Sequence, residues 1–261
     1  MQPHSATAPS LRIVTWNIHK GVRGLGMRKR LEIHNMQAAV ATLDADLVCL
    51  QEVRRINHKE AANFTHWPEL PQADFLAPPG YEAVYRTNAF TKDGEHGNAL
   101  LSRFPVSSHT HEDMSDHRFE QRGLLHATLA IAGKDVHVIV VHLGLIAASR
   151  QRQLAQLSQY IARDIPASDT VIVAGDFNSP IAPVRWAQTA LAAQVEAKKS
   201  ATRKPLLHAL SGHATFPSRL PLVQLDHVFV RHAKIVSSHV PKSNEWARMS
   251  DHLPLIVEVQ I

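Results

Sequence analysis

A chain of 261 residues, 44% hydrophobic and 20% charged with a formal net charge of +5, can bury a substantial core and favours an anionic partner. No apolar run approaches the roughly 18 residues a membrane span needs, and the first ten residues lack the basic start and apolar stretch of a secretory signal, so a cytoplasmic location is expected. The single cysteine, Cys49, excludes an intramolecular disulfide framework and, inside the apolar run Leu47-Val48-Cys49-Leu50, reads as a buried strand residue rather than a nucleophile.

Residues 1–10 are expected to be disordered. Residues 11–261 are expected to form a single domain, because no repeat, low-complexity tract or linker interrupts them. Residues 11–16 read as a first strand, and residues 28–43 have helical spacing, with Leu31, Ala38, Ala39 and Leu43 on the apolar side. A buried strand follows at 46–51. Residues 54–80, with Pro68, Pro71, Pro78 and Pro79, read as irregular. Strands are expected at 81–85, 98–102, 124–131 and 135–142, the last two joined by the turn Ala132-Gly133-Lys134. A helix at 147–163, an apolar strand at 170–174 and a helix at 184–198 come next. The last runs into a basic stretch that includes Lys198, Lys199, Arg203 and Lys204. Strands at 225–230 and 255–261 close the chain. Mixed strands, hairpins and helices point to an α/β sandwich with a two-layered sheet core and helices outside.

Polar residues stand repeatedly at the ends of these apolar strands: Asn17, Glu52, His142, Asp176 with Asn178, Asp226, and Asp251-His252 before the final strand. A strand end at a sheet rim holds a side chain rigidly while leaving it wet, so one rim could gather them all. Carboxylate and amide oxygens suit Mg²⁺ or Mn²⁺, which neutralise phosphate and stabilise a leaving oxygen. Two histidines can divide proton removal and donation. Singly, each residue has a plainer reading: Asn17, Asp176 and Asn178 as turn or cap residues, His142 as a satisfied core histidine, Asp251-His252 as a surface turn. The ordered set shifts the balance, because independent accidents would have to coincide.

In that order, Val14-Thr15-Trp16-Asn17-Ile18, Leu50-Gln51-Glu52-Val53, Val141-His142-Leu143, Gly175-Asp176-Phe177-Asn178, Leu225-Asp226-His227-Val228 and Ser250-Asp251-His252-Leu253-Pro254 closely resemble the endonuclease/exonuclease/phosphatase (DNase I-like) superfamily. The resemblance spans nearly the whole chain. It implies a four-layer α/β sandwich of two packed, mainly antiparallel sheets, and a metal-dependent phosphoesterase using Mg²⁺ or Mn²⁺. It casts Asn17 and Glu52, with Asp251 close by, as the metal site. His252 would be the base that activates water and Asp226 the carboxylate that orients it. Asp176 and Asn178 would contact the scissile phosphate or a second metal, and His142 would be the second catalytic histidine, a phosphate ligand or acid to the leaving group. Arg122 resembles a phosphate-binding arginine of DNase-like members, although Gln121-Arg122-Gly123 also reads as a turn.

The carboxylate partner of His142 is not evident in the sequence; Glu95 is the nearest candidate. Residues 143–150 carry no tyrosine, which argues against abasic-site repair. Residues 97–105 and the helix bearing Arg150 and Gln153 resemble sphingomyelinase-like and uncharacterised bacterial members. The expected substrate is therefore an anionic phosphate ester, nucleic acid first and a phospholipid or its headgroup as the alternative. Peripheral membrane contact is compatible with this, and no obligate protein partner is indicated. Trp67 and Phe75 could stack on bases or cap the core, and the basic 198–204 stretch could meet phosphates or form a solvated helix end. Two other classes compete: a non-catalytic module of the same fold, which the intact polar set opposes, and a Ser–His–Asp hydrolase, for which no Gly-x-Ser-x-Gly elbow is present.

Overall fold

The computed structural model describes residues 9–24, 26–187, 207–208 and 212–261. The chain passes through β1 (Ser10–Asn17), a small ribbon of β2 (Val22–Arg23) and β3 (Arg30–Leu31), then α1 (Ile33–Leu43) and β4 (Leu47–Val53). Two short helices, α2 (His58–Asn63) and α3 (Gln72–Leu76), precede β5 (Glu82–Thr91), β6 (Gly94–Ser102), β7 (Val106–Asp113), β8 (Gly123–Ile131) and β9 (Lys134–His142). After α4 (Ala147–Asp164) come β10 (Thr170–Asp176), β11 (Leu207–His208), β12 (Asp226–Arg231), β13 (Lys234–His239), a short helix Asn244–Met249 and β14 (Leu255–Gln260).

Two sheets result. The first has the order β13-β14-β1-β4-β6-β5 and the second β11-β12-β10-β9-β8-β7. All neighbours are antiparallel except the central pairs β1·β4 and β9·β10, which are parallel. The period-2 alternation of strand side chains explains the layering. Ile13, Leu47, Cys49 and Leu100 from the first sheet meet Leu125, Val138, Val140 and Ile172 from the second in one inter-sheet core. Their alternates Val14, Trp16, Val48 and Leu50 face α1 and α3, while Ile139, Val141, Val171 and Val173 face Leu154, Leu157 and Ile161 of α4. Central strands are thus buried on both faces, which is why they read as nearly continuous apolar runs. The four-layer sandwich is the expected one. Asn98 ties its two halves: from β6 its Nδ2 donates to Gly123 O at 2.9 Å and Val140 O at 3.1 Å in the facing sheet.

Several elements depart from expectation for identifiable reasons. Ser10, expected in a disordered segment, is the first residue of β1 and pairs with Gln260; residues 1–8 lie outside the described residues. The helix expected from residue 28 starts at Ile33, because Arg30 and Leu31 pair with Arg23 and Val22. The segment 54–80 contains α2 and α3, and buried Gln72 braces it by bonding Arg54 N–H and Lys20 O. Phe75 packs against the core under α1, and half-buried Trp67 stacks near Phe64 with the Arg54 guanidinium over it. Strands β7 and β13 are sheet edges with mostly exposed polar side chains, so no alternation marked them. The third helix is entered at residue 182 and followed to 187. Lys198, Lys199, Arg203 and Lys204 lie outside the described residues.

Under α4, the outer face of the second sheet carries an aligned relay. Tyr160 Oη is 2.9 Å from His126 Nδ1, His126 Nε2 is 2.9 Å from His137 Nδ1, and His137 Nε2 is 3.3 Å from Asp169 Oδ2. A neutral His126 fits this chain by accepting from Tyr160 Oη at Nδ1 and donating from Nε2 to His137 Nδ1. Burial, then the neighbouring His137, pushes His126 down to about 4, and burial likewise pushes His96 down to about 4. An unfolded histidine titrates near 6.5, so below that pH the unfolded chain binds protons that the folded one refuses. This contribution to stability is fully present above about pH 6.5 and is lost as pH falls to about 4. His126→Gln should therefore flatten, without abolishing, the fall of unfolding free energy across that window in urea titrations. An unchanged slope would mean His126 is not held neutral.

Candidate active site

Sheet register places the site. In the second sheet Asp176 on β10 stands beside His142 on β9 and beside Asp226 on β12, so three polar side chains share one row at the strand ends. Gly175, just before, permits the close approach of β10 to β9: a Cβ there would lie 2.0 Å from Val141 O. In the first sheet Asn17 ends β1 opposite Gln51 of β4. Glu52 follows in a left-handed backbone conformation (φ 57°), where the β4·β6 ladder shifts register between Leu50 and Val53. Such irregularities re-aim a side chain, and strained backbone of this kind clusters at functional sites. Asn178 is also left-handed (φ 50°), its N–H donating to Asp176 Oδ1 at 2.9 Å.

Residues from both sheets converge on buried Asp176. Asn17 Nδ2 donates to Asp176 Oδ2 at 3.0 Å. The same oxygen lies 3.5 Å from His142 Nε2 and 3.7 Å from His252 Nε2. His252 Nδ1 is held by Asp226 Oδ2 at 2.8 Å, which leaves Nε2 facing the centre. The loop before β14 is fixed by Ser250, whose Oγ donates to Asn17 O at 2.6 Å, and by Trp16 Nε1, which donates to His252 O at 3.0 Å. The carboxylate that faces His142 is thus Asp176. Glu95 instead accepts from Thr87 Oγ1 at 3.0 Å.

Glu52 and Asp251 face a common space. His19 Nδ1 lies 3.3 Å from Asp251 Oδ2 and 4.0 Å from Glu52 Oε2, and Lys20 Nζ is 2.5 Å from Glu52 Oε2. Asn17 Nδ2 reaches Glu52 Oε1 at 3.5 Å, while its Oδ1 accepts from His19 N–H at 3.0 Å. Asn17 would therefore offer oxygen to a cation only with its amide turned over, an orientation set by the hydrogen-bond network. On the far side of His142, Arg122 donates from Nε to Leu143 O (3.2 Å), from Nη1 to Gln121 O (3.1 Å) and from Nη2 to Glu120 Oε1 (3.1 Å). Two of its five N–H groups remain for a ligand. Asn178 Nδ2 donates to the same Leu143 O at 2.8 Å, leaving its Oδ1 available. Gln153 Oε1 accepts from Gly144 N–H and Arg150 donates to Gly144 O, so α4 braces this loop.

The electrostatics separate the two histidines. Burial, then the Arg122 charge, pushes His142 down to about 4, so it offers a neutral ring. Burial works against charge at His252 too, but Asp226 and Asp176 outweigh it and raise the ring to about 10. Burial raises the Asp176 carboxyl, opposed by His252 and His142. At Glu52 burial also opposes ionisation, yet Lys20, His142 and His19 hold the carboxyl well below the usual range. Four carboxylates are gathered here, and buried Asp226 Oδ1 has no hydrogen-bond partner. Ligand atoms of Asp176, Asp226 and His252 all lie within 4.8 Å of one another. The donor set fits a hard divalent cation, with Glu52 and Asp251, two of the expected set Asn17, Glu52 and Asp251, as the less buried approach to it.

Every expected residue thus reaches one rim. The sequence did not single out Lys20 and His19 as site residues; they come directly after the motif at residues 14–18, and their left-handed conformations (φ 63° and 46°), which turn them onto Glu52 and Asp251, are not written in residue type.

Comparisons with known proteins bear on the family and the fold. The model of the endonuclease/exonuclease/phosphatase family matches residues 14–252. YbhP of Escherichia coli (strain K12) is 35% identical over 258 residues, 97% of each chain. A solved endonuclease/exonuclease/phosphatase from Bacteroides vulgatus superposes with TM-score 0.72 at 15% identity, covering 97% of this chain and 99% of that one. A mannosyl-6-phosphatase from Bacteroides thetaiotaomicron does so with TM-score 0.65 at 18% identity, covering 96% and 100%.

Losing a direct ligand should cost at least the roughly 10–100-fold that losing an outer-shell partner costs. Glu52→Gln is expected to weaken Mg²⁺ or Mn²⁺ binding by that factor or more in calorimetry. Without metal, the melting temperature should drop only slightly as the Lys20 ion pair is lost. Unchanged ion affinity would remove Glu52 from the metal site.

Proposed function

The chain belongs to the endonuclease/exonuclease/phosphatase family, and from that premise we propose that it is a metal-dependent phosphodiesterase in which His252 activates the attacking water. Family members are phosphodiesterases and phosphatases, so phosphoester hydrolysis is the common ground. The observation that carries the finer reading is the buried pair His252 Nδ1–Asp226 Oδ2, 2.8 Å apart, which fixes the ring so that Nε2 faces the Asp176 cluster.

Glu52 and Asp251, with Asn17, would hold the cation. Bound there, it would supply charge neutralisation for the phosphate and the leaving oxygen, and a positive charge beside the carboxylates that would favour the neutral form of His252. His252 then accepts the proton of water at Nε2, and Asp226 stabilises the imidazolium at Nδ1. His142, held neutral, gives the phosphate a hydrogen bond rather than a charge; Asn178 and Arg122 orient its remaining oxygens. Asp176 holds Asn17 and both imidazoles in register. A nucleic-acid phosphodiester and a phospholipid headgroup present the same group to these residues.

His252→Ala should lower kcat on bis-p-nitrophenyl phosphate by about 10²–10⁴, the usual range for losing a general base, with KM changing much less. Asp226→Asn should produce a smaller loss, and the double variant should be little worse than His252→Ala alone, because the two act as a unit. Near-normal kcat in a folded, metal-bound His252→Ala protein would place the base elsewhere.

A further inference from the structure

Eleven large apolar side chains are exposed among the described residues, and six of them lie on the hairpin and loops that carry or brace the site. Phe90, 72% exposed, belongs to the β5–β6 hairpin, and its N–H donates to Gln121 Oε1 at 2.8 Å, beside Arg122. Phe119 is 82% exposed, with the Arg118 guanidinium 4.7 Å above its ring. A depression of about 400 Å³ lies between these two phenylalanines, bounded by Arg118, Arg122 and His96. Leu145 and Ile146, 70% and 52% exposed, come three and four residues after His142. The Leu145 N–H donates to Glu120 Oε1 at 2.9 Å, the carboxylate oxygen that also holds Arg122. On the His252 side, Leu220 and Leu222 (65% and 70%) sit on the loop whose Phe216 ring lies 5.0 Å from the His252 ring. The same loops present exposed cations: Lys92, Arg118 and Arg219.

Scattered single apolar residues on a surface need no explanation, but a cluster around a polar site does. No helix or strand of the described residues covers these side chains. They arise from separate loops rather than from one stripe, so they suit a flat surface better than a peptide strand or helix. Four of them are aliphatic, which cannot stack on bases and argues against a single-stranded nucleic-acid platform. Apolar tips interleaved with exposed cations are what interfacial binding to an anionic lipid layer requires. We propose that this collar docks the protein on a bilayer carrying anionic headgroups, with the site facing the membrane plane. That such docking delivers a lipid phosphodiester to His252 rests on the hydrolase reading above; the docking itself does not.

Vesicle flotation of the full chain tests it, with phosphatidylcholine alone and mixed with phosphatidylglycerol, alongside bis-p-nitrophenyl phosphate hydrolysis as a soluble readout. The wild type should float with the anionic vesicles. Phe119→Ser combined with Leu145→Ser should cut the partition coefficient by about tenfold or more, since two buried side chains are lost from the interface. Lys92→Gln combined with Arg118→Gln should remove the preference for phosphatidylglycerol. Both double variants should hydrolyse the soluble diester normally. Wild-type protein that floats with neither composition, or a serine double variant that floats as well as wild type, would overturn the proposal. So would capture by a single-stranded oligonucleotide in place of vesicles, lost in Phe119→Ser and kept in Leu145→Ser. Flotation without hydrolysis of any diester would sink the catalytic reading alone.

Discussion

The hydrogen bond from Asn17 Nδ2 to Asp176 Oδ2 joins the end of a central strand in one sheet to the end of a central strand in the other, 159 residues apart in sequence. It can form only if the two sheets pack face to face with β1 and β10 ending at one rim. That constraint is met by the inter-sheet core of alternating aliphatic side chains and by the register that sets Asp176 beside both His142 and Asp226. A one-residue slip of β10 would turn Asp176 to the opposite face of its sheet. The apolar layers thus serve the site by fixing where polar strand ends meet.

Gathering carboxylates in a buried row is unfavourable unless opposite charge accompanies them. Here the compensation is uneven. Glu52 is held ionised by Lys20 and His19 at the accessible edge, whereas Asp176 and Asp226 share the His252 imidazolium in the interior. The two histidines are driven in opposite directions by their neighbours, His142 toward neutrality by burial and Arg122, and His252 toward protonation by two carboxylates. Groups of one type pushed apart by environment are the pattern from which acid, base and ligand roles are drawn.

Much of this was legible in the sequence, because the central strands are apolar on both faces and a polar residue at the end of such a run stands out. Asn17, Glu52, His142, Asp176, Asn178, Asp226, Asp251 and His252 were all visible in this way. What was not visible depends on backbone conformation or on exposure. The left-handed residues His19, Lys20 and Glu52 turn their side chains by φ, which no residue type announces. The contact of Asp176 with both imidazoles follows from register across two sheets. Edge strands β7 and β13 lack an apolar face, so they offered no alternation to read. Leu145 and Ile146 precede the expected helix and carry no mark of exposure in the sequence; only the fold shows that they are exposed beside the site.

In the proposed function, the carboxylates and Asn17 at this rim form a cation site on which hydrolysis depends. Hydrolysis of bis-p-nitrophenyl phosphate should therefore be abolished when the protein is treated with EDTA and restored when Mg²⁺ or Mn²⁺ is added back in excess. Hydrolysis that persists undiminished in EDTA would mean that no cation at this rim takes part in the reaction.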